Sequence, residues 1–208
     1  MSATPDAVAA LKSRFPQVAD RASLDHPALD VPASDLPAIL TVLRDELGYD
    51  MLVDATAIDW AEGANPRFTV VYHVYSTTTH AYVRLAAACP DNAHPEVPTV
   101  TGVWAAANWH EREIFDMFGI RFTGHPDLRR ILMWDGYPHF PLRKEFPLAG
   151  LDTPLPDEAV AAETGVGLIP APMAGGPFVA ASGGMNLSDA EPEGKDQSWN
   201  ERREKPQV

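Results

Sequence analysis

The chain has 208 residues, enough for one domain and a tail, with 29 acidic against 16 basic side chains and a formal charge of −13. That balance excludes nucleic acid as an expected partner, because phosphate binding needs clustered Lys and Arg, and it disfavours direct adsorption on an anionic lipid surface. The single cysteine, Cys89, allows no intrachain disulfide and no four-cysteine iron–sulfur cluster, so it is expected as a small buried apolar residue in a reducing setting.

From the N-terminus, Pro5 to Phe15 reads as a short helix with Ala7, Val8, Leu11 and Phe15 on one side, stopped by Pro16. Room remains for a strand before the second helix. That helix opens at Ser34 or Asp35, repeats Leu36, Ile39, Leu40, Leu43 and Leu47 at helical spacing, and ends at Gly48. Leu52 to Ala57 reads as a strand leading into Asp59 and Trp60, and Glu62 to Pro66 as a turn. Phe68 to Tyr75 and Tyr82 to Ala87 are rich in Val and Tyr and form a hairpin around a turn at Ser76 to Thr79. Pro90 to Pro98 reads as a loop. A third helix is expected from Thr101 or Gly102 to about Phe118, ended by Gly119. Asp127 to Trp134 is ambiguous between a helical turn and an extended segment.

This order implies an α+β fold, a small and largely antiparallel sheet with helices on one face, over residues 1–150. After Leu148 the chain becomes rich in Pro, Ala and Gly, and then polar. Residues 151–208 are expected as an extended tail without its own core, docked on a partner or disordered. No window approaches ~20 apolar residues, so no direct membrane span is expected. The N-terminus has no basic region followed by an apolar core, so no leader is expected.

The richest stretch runs from Glu111 to Leu148. It mixes charges of both signs with aromatics, glycines and prolines, a composition suited to a surface covered by another protein. Arg112 and Asp116 are four apart and able to pair along a helix. Trp104, Ala107, Asn108, Glu111, Phe115 and Phe118 share roughly one face. A carboxylate there is expected to find an arginine, with Arg129, Arg130 and Arg143 as candidates. Spacing alone leaves two readings open, an exposed salt-bridged helix and a buried ionic network. Pro141 to Leu148, PLRKEFPL, is expected as an extended strip carrying Arg143, Lys144 and Phe146, either a solvated loop or a band across an acidic patch of a neighbour.

Signals for chemistry are weak. His110, Glu113 and His125 do not form a metal-binding motif. Ser76 and Ser182 stand outside any nucleophile elbow, and the glycine pairs at 175–176 and 183–184 are not a dinucleotide fingerprint. His73 and His80 are expected as surface or satisfied histidines.

Together these residues resemble the C-type subunit of the proton-pumping NADH-quinone oxidoreductase, respiratory complex I. The pattern that carries the likeness is Glu111-Arg112-Glu113, Asp116, Met117-Phe118, His125, Arg129 and Ile131-Leu132, followed by the GYP and PLRKEFPL segments. Asn108-Trp109 and Asp59-Trp60 fit the same picture, and the likeness covers roughly Phe15 to Gly150. The resemblance implies a small α+β subunit of the peripheral arm, on the cytoplasmic side of a bacterial inner membrane. It implies docking on the D-type subunit homologue foremost, near the B-type and I-type subunits. It further implies that NADH, FMN, the iron–sulfur clusters and quinone are bound by partner subunits and that this chain carries no cofactor or catalytic residue. The expected interface and structural network is Glu111, Arg112, Asp116, His125, Arg129, Arg130, Arg143, Lys144 and Phe146. Three other readings stay open: the equivalent subunit of a membrane-bound hydrogenase or other-donor dehydrogenase, a stand-alone metal-dependent enzyme using Glu111, Asp116 and His125, and a soluble adaptor with no respiratory role.

Overall fold

The computed structural model describes residues 4–133, 136–147 and 151. The chain divides between Phe146 and Pro147, and the described fold is that of the first unit. The expected tail over residues 152–208 lies outside the described residues.

Among the described residues three α-helices and seven strands follow one another: α1 (Thr4–Arg14), β1 (Ala19–Arg21), β2 (Ala28–Val31), α2 (Leu36–Asp45), β3 (Met51–Asp59), β4 (Phe68–Tyr75), β5 (Tyr82–Ala88), β6 (Glu96–Pro98), α3 (Ala107–Phe118) and β7 (Arg121–Thr123). Five strands form one sheet in the order β1-β2-β5-β4-β3, and β6 and β7 form a separate parallel pair. Within the large sheet β2 and β5 run parallel, and the other pairs are antiparallel.

The alternation of side chains along the strands divides the large sheet into two faces. Phe68, Val70, Tyr72 and Val74 of β4 and Val83, Leu85 and Ala87 of β5 are buried on one face. Leu11 of α1, Leu36, Ile39, Leu40 and Leu43 of α2, and Ile114 and Met117 of α3 join them in a single core. All three helices therefore cover this one face, as an α+β layering requires. Cys89 is buried in that core, and burial pushes its thiol up to about 12.

Three local expectations are corrected. Between α1 and α2 the chain makes two strands, which three or four residues with few β-branched side chains do not announce. The proline-rich loop contains β6, whose edge position tolerates Pro98. The third helix begins at Ala107, six residues after Thr101. Val103 and Trp104 are held outside it, because Arg44 donates to the Val103 carbonyl and the Trp104 indole to Asp50 O at 3.2 Å.

Candidate functional site

Two ends of this core fasten the segments 127–133 and 136–146, a belt that carries most of the predicted site residues. Asp116, in the last turn of α3, is fully buried. Its Oδ2 accepts the backbone N–H groups of Ile131, Leu132 and Met133 at 3.0, 2.6 and 2.8 Å, and its Oδ1 accepts Arg130 Nη1. Burial alone raises such a carboxyl, but three amides and a guanidinium outweigh it and hold Asp116 below its ordinary pKa. Arg130 also donates to Asp116 O at 3.1 Å, Tyr137 O at 2.6 Å and His139 O at 3.2 Å. One guanidinium thus closes the loop between residues 130 and 139.

The second fastening is Asp59, at the end of β3. It receives Arg67 through Nε at 2.9 Å and Nη2 at 2.8 Å, and the backbone amides of Ala61 and Lys144 at 2.9 Å each. Burial opposes ionisation there too, yet these donors bring its carboxyl down to about 2. Arg67 donates to Glu145 as well. Between the two aspartates, Arg143 donates from Nε to Phe118 O at 2.6 Å and lies 4.5 Å from the Phe140 ring centre and 5.2 Å from that of Phe68.

Gly119 is required twice over at this junction. Its φ is 75°, and a Cβ there would stand 2.6 Å from Arg143 Nη2 and 2.7 Å from the Phe140 ring.

The predicted residues divide accordingly. Asp116, Arg130 and Arg143 sit in the fastening. Lys144 contributes its backbone amide while its side chain is exposed, and Phe146 is half-buried with its ring 5.9 Å from His139. Arg112 does not pair with Asp116. It is buried, donates to the carbonyls of Arg129 and Arg130 at 3.2 and 3.3 Å, and lies 5.1 Å over the Trp109 ring. Arg129 is exposed and bonds Asp127 at 2.9 Å.

Contrary to expectation, Glu111 finds no arginine among the described residues. It accepts the Val100 amide at 2.7 Å and the Thr99 hydroxyl, with His125 Nε2 at 3.8 Å. Pro141 to Phe146 is also corrected: it is not an extended strip but a run of tight turns. Leu142 N donates to Met117 O, Arg143 N to Phe140 O and Phe146 N to Arg143 O. Proline lacks an amide donor and suits a turn as well as a strand, and here the anchors at Met117, Phe118 and Asp59 curl the chain. Leu148 lies outside the described residues.

Sequence reasoning missed Asp59 and Arg67 as a pair, and Thr99. An acid and an arginine bracketing the predicted turn at 62–66 were the available signal for the first. Thr99 offered none. Among the described residues, no group of three or more His, Cys, Asp or Glu side chains is arranged to hold a metal ion. Asp116 directs its oxygens to residues 130–133, away from the meeting of Glu111 and His125.

Large apolar side chains stand in water around this belt. Trp109, Leu132 and Leu142 are 60, 58 and 52% exposed. The amides of Leu132 and Leu142 are themselves bonded to Asp116 and to Met117 O, so these side chains are presented by anchored backbone. A shallow groove of about 560 Å³ lies elsewhere, on the sheet face without helices, lined by Arg21, Asp30, Trp60 and Thr69 among others.

Fold and belt together define a small α+β domain with a charged, aromatic segment clamped to its core. The family model described as respiratory-chain NADH dehydrogenase, 30 Kd subunit, matches residues 29–152, and the chain belongs to that family, which holds the C-type subunits of complex I. The C-type NADH-quinone oxidoreductase subunit of Moorella thermoacetica is 44% identical over 138 residues, covering 66% of this chain and 91% of that protein. The second C-type subunit of Rhizobium meliloti is 55% identical over 104 residues, 50% of this chain and 56% of the relative, so the match spans little more than half of that protein. A chain in the solved structure of the membrane-bound sulfane sulfur reductase, an archaeal respiratory membrane complex, shares the fold. Its TM-score is 0.62 at 20% identity, covering 79% of this chain and 93% of that one.

Proposed function

We propose that this chain is a non-catalytic structural subunit of the peripheral arm of a proton-pumping NADH-quinone oxidoreductase. It holds the quinone-reducing module together while other subunits bind NADH, FMN, iron–sulfur clusters and quinone. Its foremost partner is the D-type subunit homologue, with the B-type and I-type subunits adjacent, on the cytoplasmic side of a bacterial inner membrane. Family membership supports the setting. Among the described residues no helix is long and apolar enough to cross a membrane, which is compatible with attachment through partners.

The observation that carries the reading is the belt itself. Two buried aspartates and four arginines fix the belt, and the same segment exposes Leu132 and Leu142, with Trp109 beside it on α3. Exposed large apolar groups on anchored backbone suit a surface that a partner covers. The test is affinity purification of the tagged chain from detergent-solubilised membranes. The wild type should retain the D-type subunit homologue together with a flavin-bearing NADH-oxidising subunit. Leu132→Asp combined with Leu142→Asp should lose them. Retention by the double variant overturns the docking role. Recovery of the assembly without an NADH-oxidising subunit selects a related complex with another electron donor.

A further inference from the structure

Three carboxylates are buried among the described residues: Asp59, Glu111 and Asp116. Asp59 has Arg67 and Asp116 has Arg130. Glu111 is as deeply buried as either and has no cation of its own. Its Oε1 accepts the Val100 amide, and its Oε2 lies against the Thr99 hydroxyl. A buried carboxylate with only neutral donors is costly, and the favoured form of that side chain is the neutral acid.

Among the described residues, no group packed around Glu111 supplies the missing charge. His125, in the turn after β7, is the nearest titratable side chain, with Nε2 3.8 Å from Glu111 Oε2 and both side chains fully shielded. Its Nδ1 accepts the Asp127 amide at 3.0 Å, so the proton of the neutral ring sits on Nε2 and points toward Asn108 O at 3.3 Å. A second ring proton would destroy the Nδ1 bond, and burial, the larger influence, also disfavours the imidazolium. From β4, Tyr72 faces the site, its hydroxyl buried without a hydrogen-bond partner and its own ionisation driven up first by burial and then by Glu111. On α3 itself, His110 turns to Asp54 at 3.4 Å, Arg112 to the carbonyls of residues 129 and 130, and Glu113 is exposed. Beyond the Val100 amide and the Thr101 amide, which donates to Thr99 Oγ1 at 3.2 Å, the 99–101 loop contributes hydroxyls alone.

Those hydroxyls form a chain. Thr99 Oγ1 touches Glu111 Oε2 on one side and Thr101 Oγ1 at 3.0 Å on the other, and Thr101 is only half-buried. We propose that Glu111 is a proton-binding site: its side chain is a neutral carboxylic acid in the folded protein and exchanges its proton with solvent through the hydroxyls of Thr99 and Thr101. On release, the Oε2–H bond breaks and its proton passes to Thr99 Oγ1. The Thr99 proton moves to Thr101 Oγ1, and the Thr101 proton leaves to water. Both hydrogen bonds survive with their direction reversed, so the chain satisfies either state of the acid. Burial, the largest influence on the carboxyl, raises it to about 7, against the smaller opposing effects of Thr99 and Val100.

The test uses the full chain with its glutamate side-chain carboxyls labelled with carbon-13 and followed by NMR across pH. One carboxyl should titrate near about pH 7, well above the ordinary carboxylate value of about 4. That signal should vanish in Glu111→Gln, an isostere of the neutral acid. Thr99→Val removes a bond that favours the charged form, so it should move the midpoint upward, and Thr99→Ser should return it. Titration of every glutamate in the ordinary range overturns the proposal without recourse to any variant. So does persistence of the high signal in Glu111→Gln, or an unmoved midpoint in Thr99→Val.

Discussion

At the C-terminal end of α3, Asp116 meets three amides and a guanidinium, while about a turn and a half earlier Glu111 meets one amide and one hydroxyl. Both are fully buried, and both stand within the same charged stretch of sequence. The donors decide their fates: Asp116 is held below its ordinary pKa, and Glu111 is raised. Burial therefore predicts nothing about a carboxyl until its donors are counted. The first residue fastens the belt as an anion, and the second can change its charge.

The largest expected break of this contrast is Asp116→Ala. It strands Arg130 and leaves the amides of residues 131–133 without their acceptor, at a cost of about 3–5 kcal/mol. Chemical denaturation should show that loss, together with heightened amide exchange confined to residues 127–146.

The next prediction uses pH. The folded pKa of Glu111 is raised above its unfolded value, so its contribution is fully present below the unfolded pKa. It is lost as pH rises through about 7. The difference between wild type and Glu111→Gln should therefore change by about 3 kcal/mol across that interval, with the wild type losing ground as pH rises. Asp59 has the opposite sign. Its folded pKa of about 2 makes its contribution present above the unfolded value and lost as pH falls through the folded one. Unfolding curves of Asp59→Asn and the wild type should converge in acid.

Smaller still is Gly119→Ala. The left-handed backbone alone costs about 1–2 kcal/mol, and displacement of Arg143 and Phe140 adds to it. A fall in melting temperature greater than that of an alanine substitution at Gly102, which has open space around it, checks this point. The smallest effect belongs to Leu132→Asp, which should change the stability of the free chain by less than about 0.5 kcal/mol. Its consequence should appear only when partners are present.

Much of this was legible in the sequence where local pattern decides. The apolar spacing of α2 and the Val-rich runs of β4 and β5 announce themselves, because a helix face and a hairpin carry their own periodicity. The strands β1, β2, β6 and β7 do not, since each is three or four residues long and exists only through pairing with another strand. The charged stretch pointed to Asp116, Arg130 and Arg143, but not to their partners. Spacing of four suggests an Arg112–Asp116 pair, and tertiary structure overrides it because residues 131–133 offer Asp116 three amides at once. Asp59 and Thr99 reach the belt and Glu111 from strands and loops outside the charged stretch; only the turn between Asp59 and Arg67 hinted at the first, and nothing local marks the second.

The central claim is that the belt is covered by another protein in the assembled particle. Hydroxyl-radical footprinting of the free chain and of the purified membrane complex tests it directly, read at Trp109, Leu132 and Leu142. The account predicts strong labelling of all three in the free chain and protection of all three in the complex. Equal labelling in the two samples would contradict it.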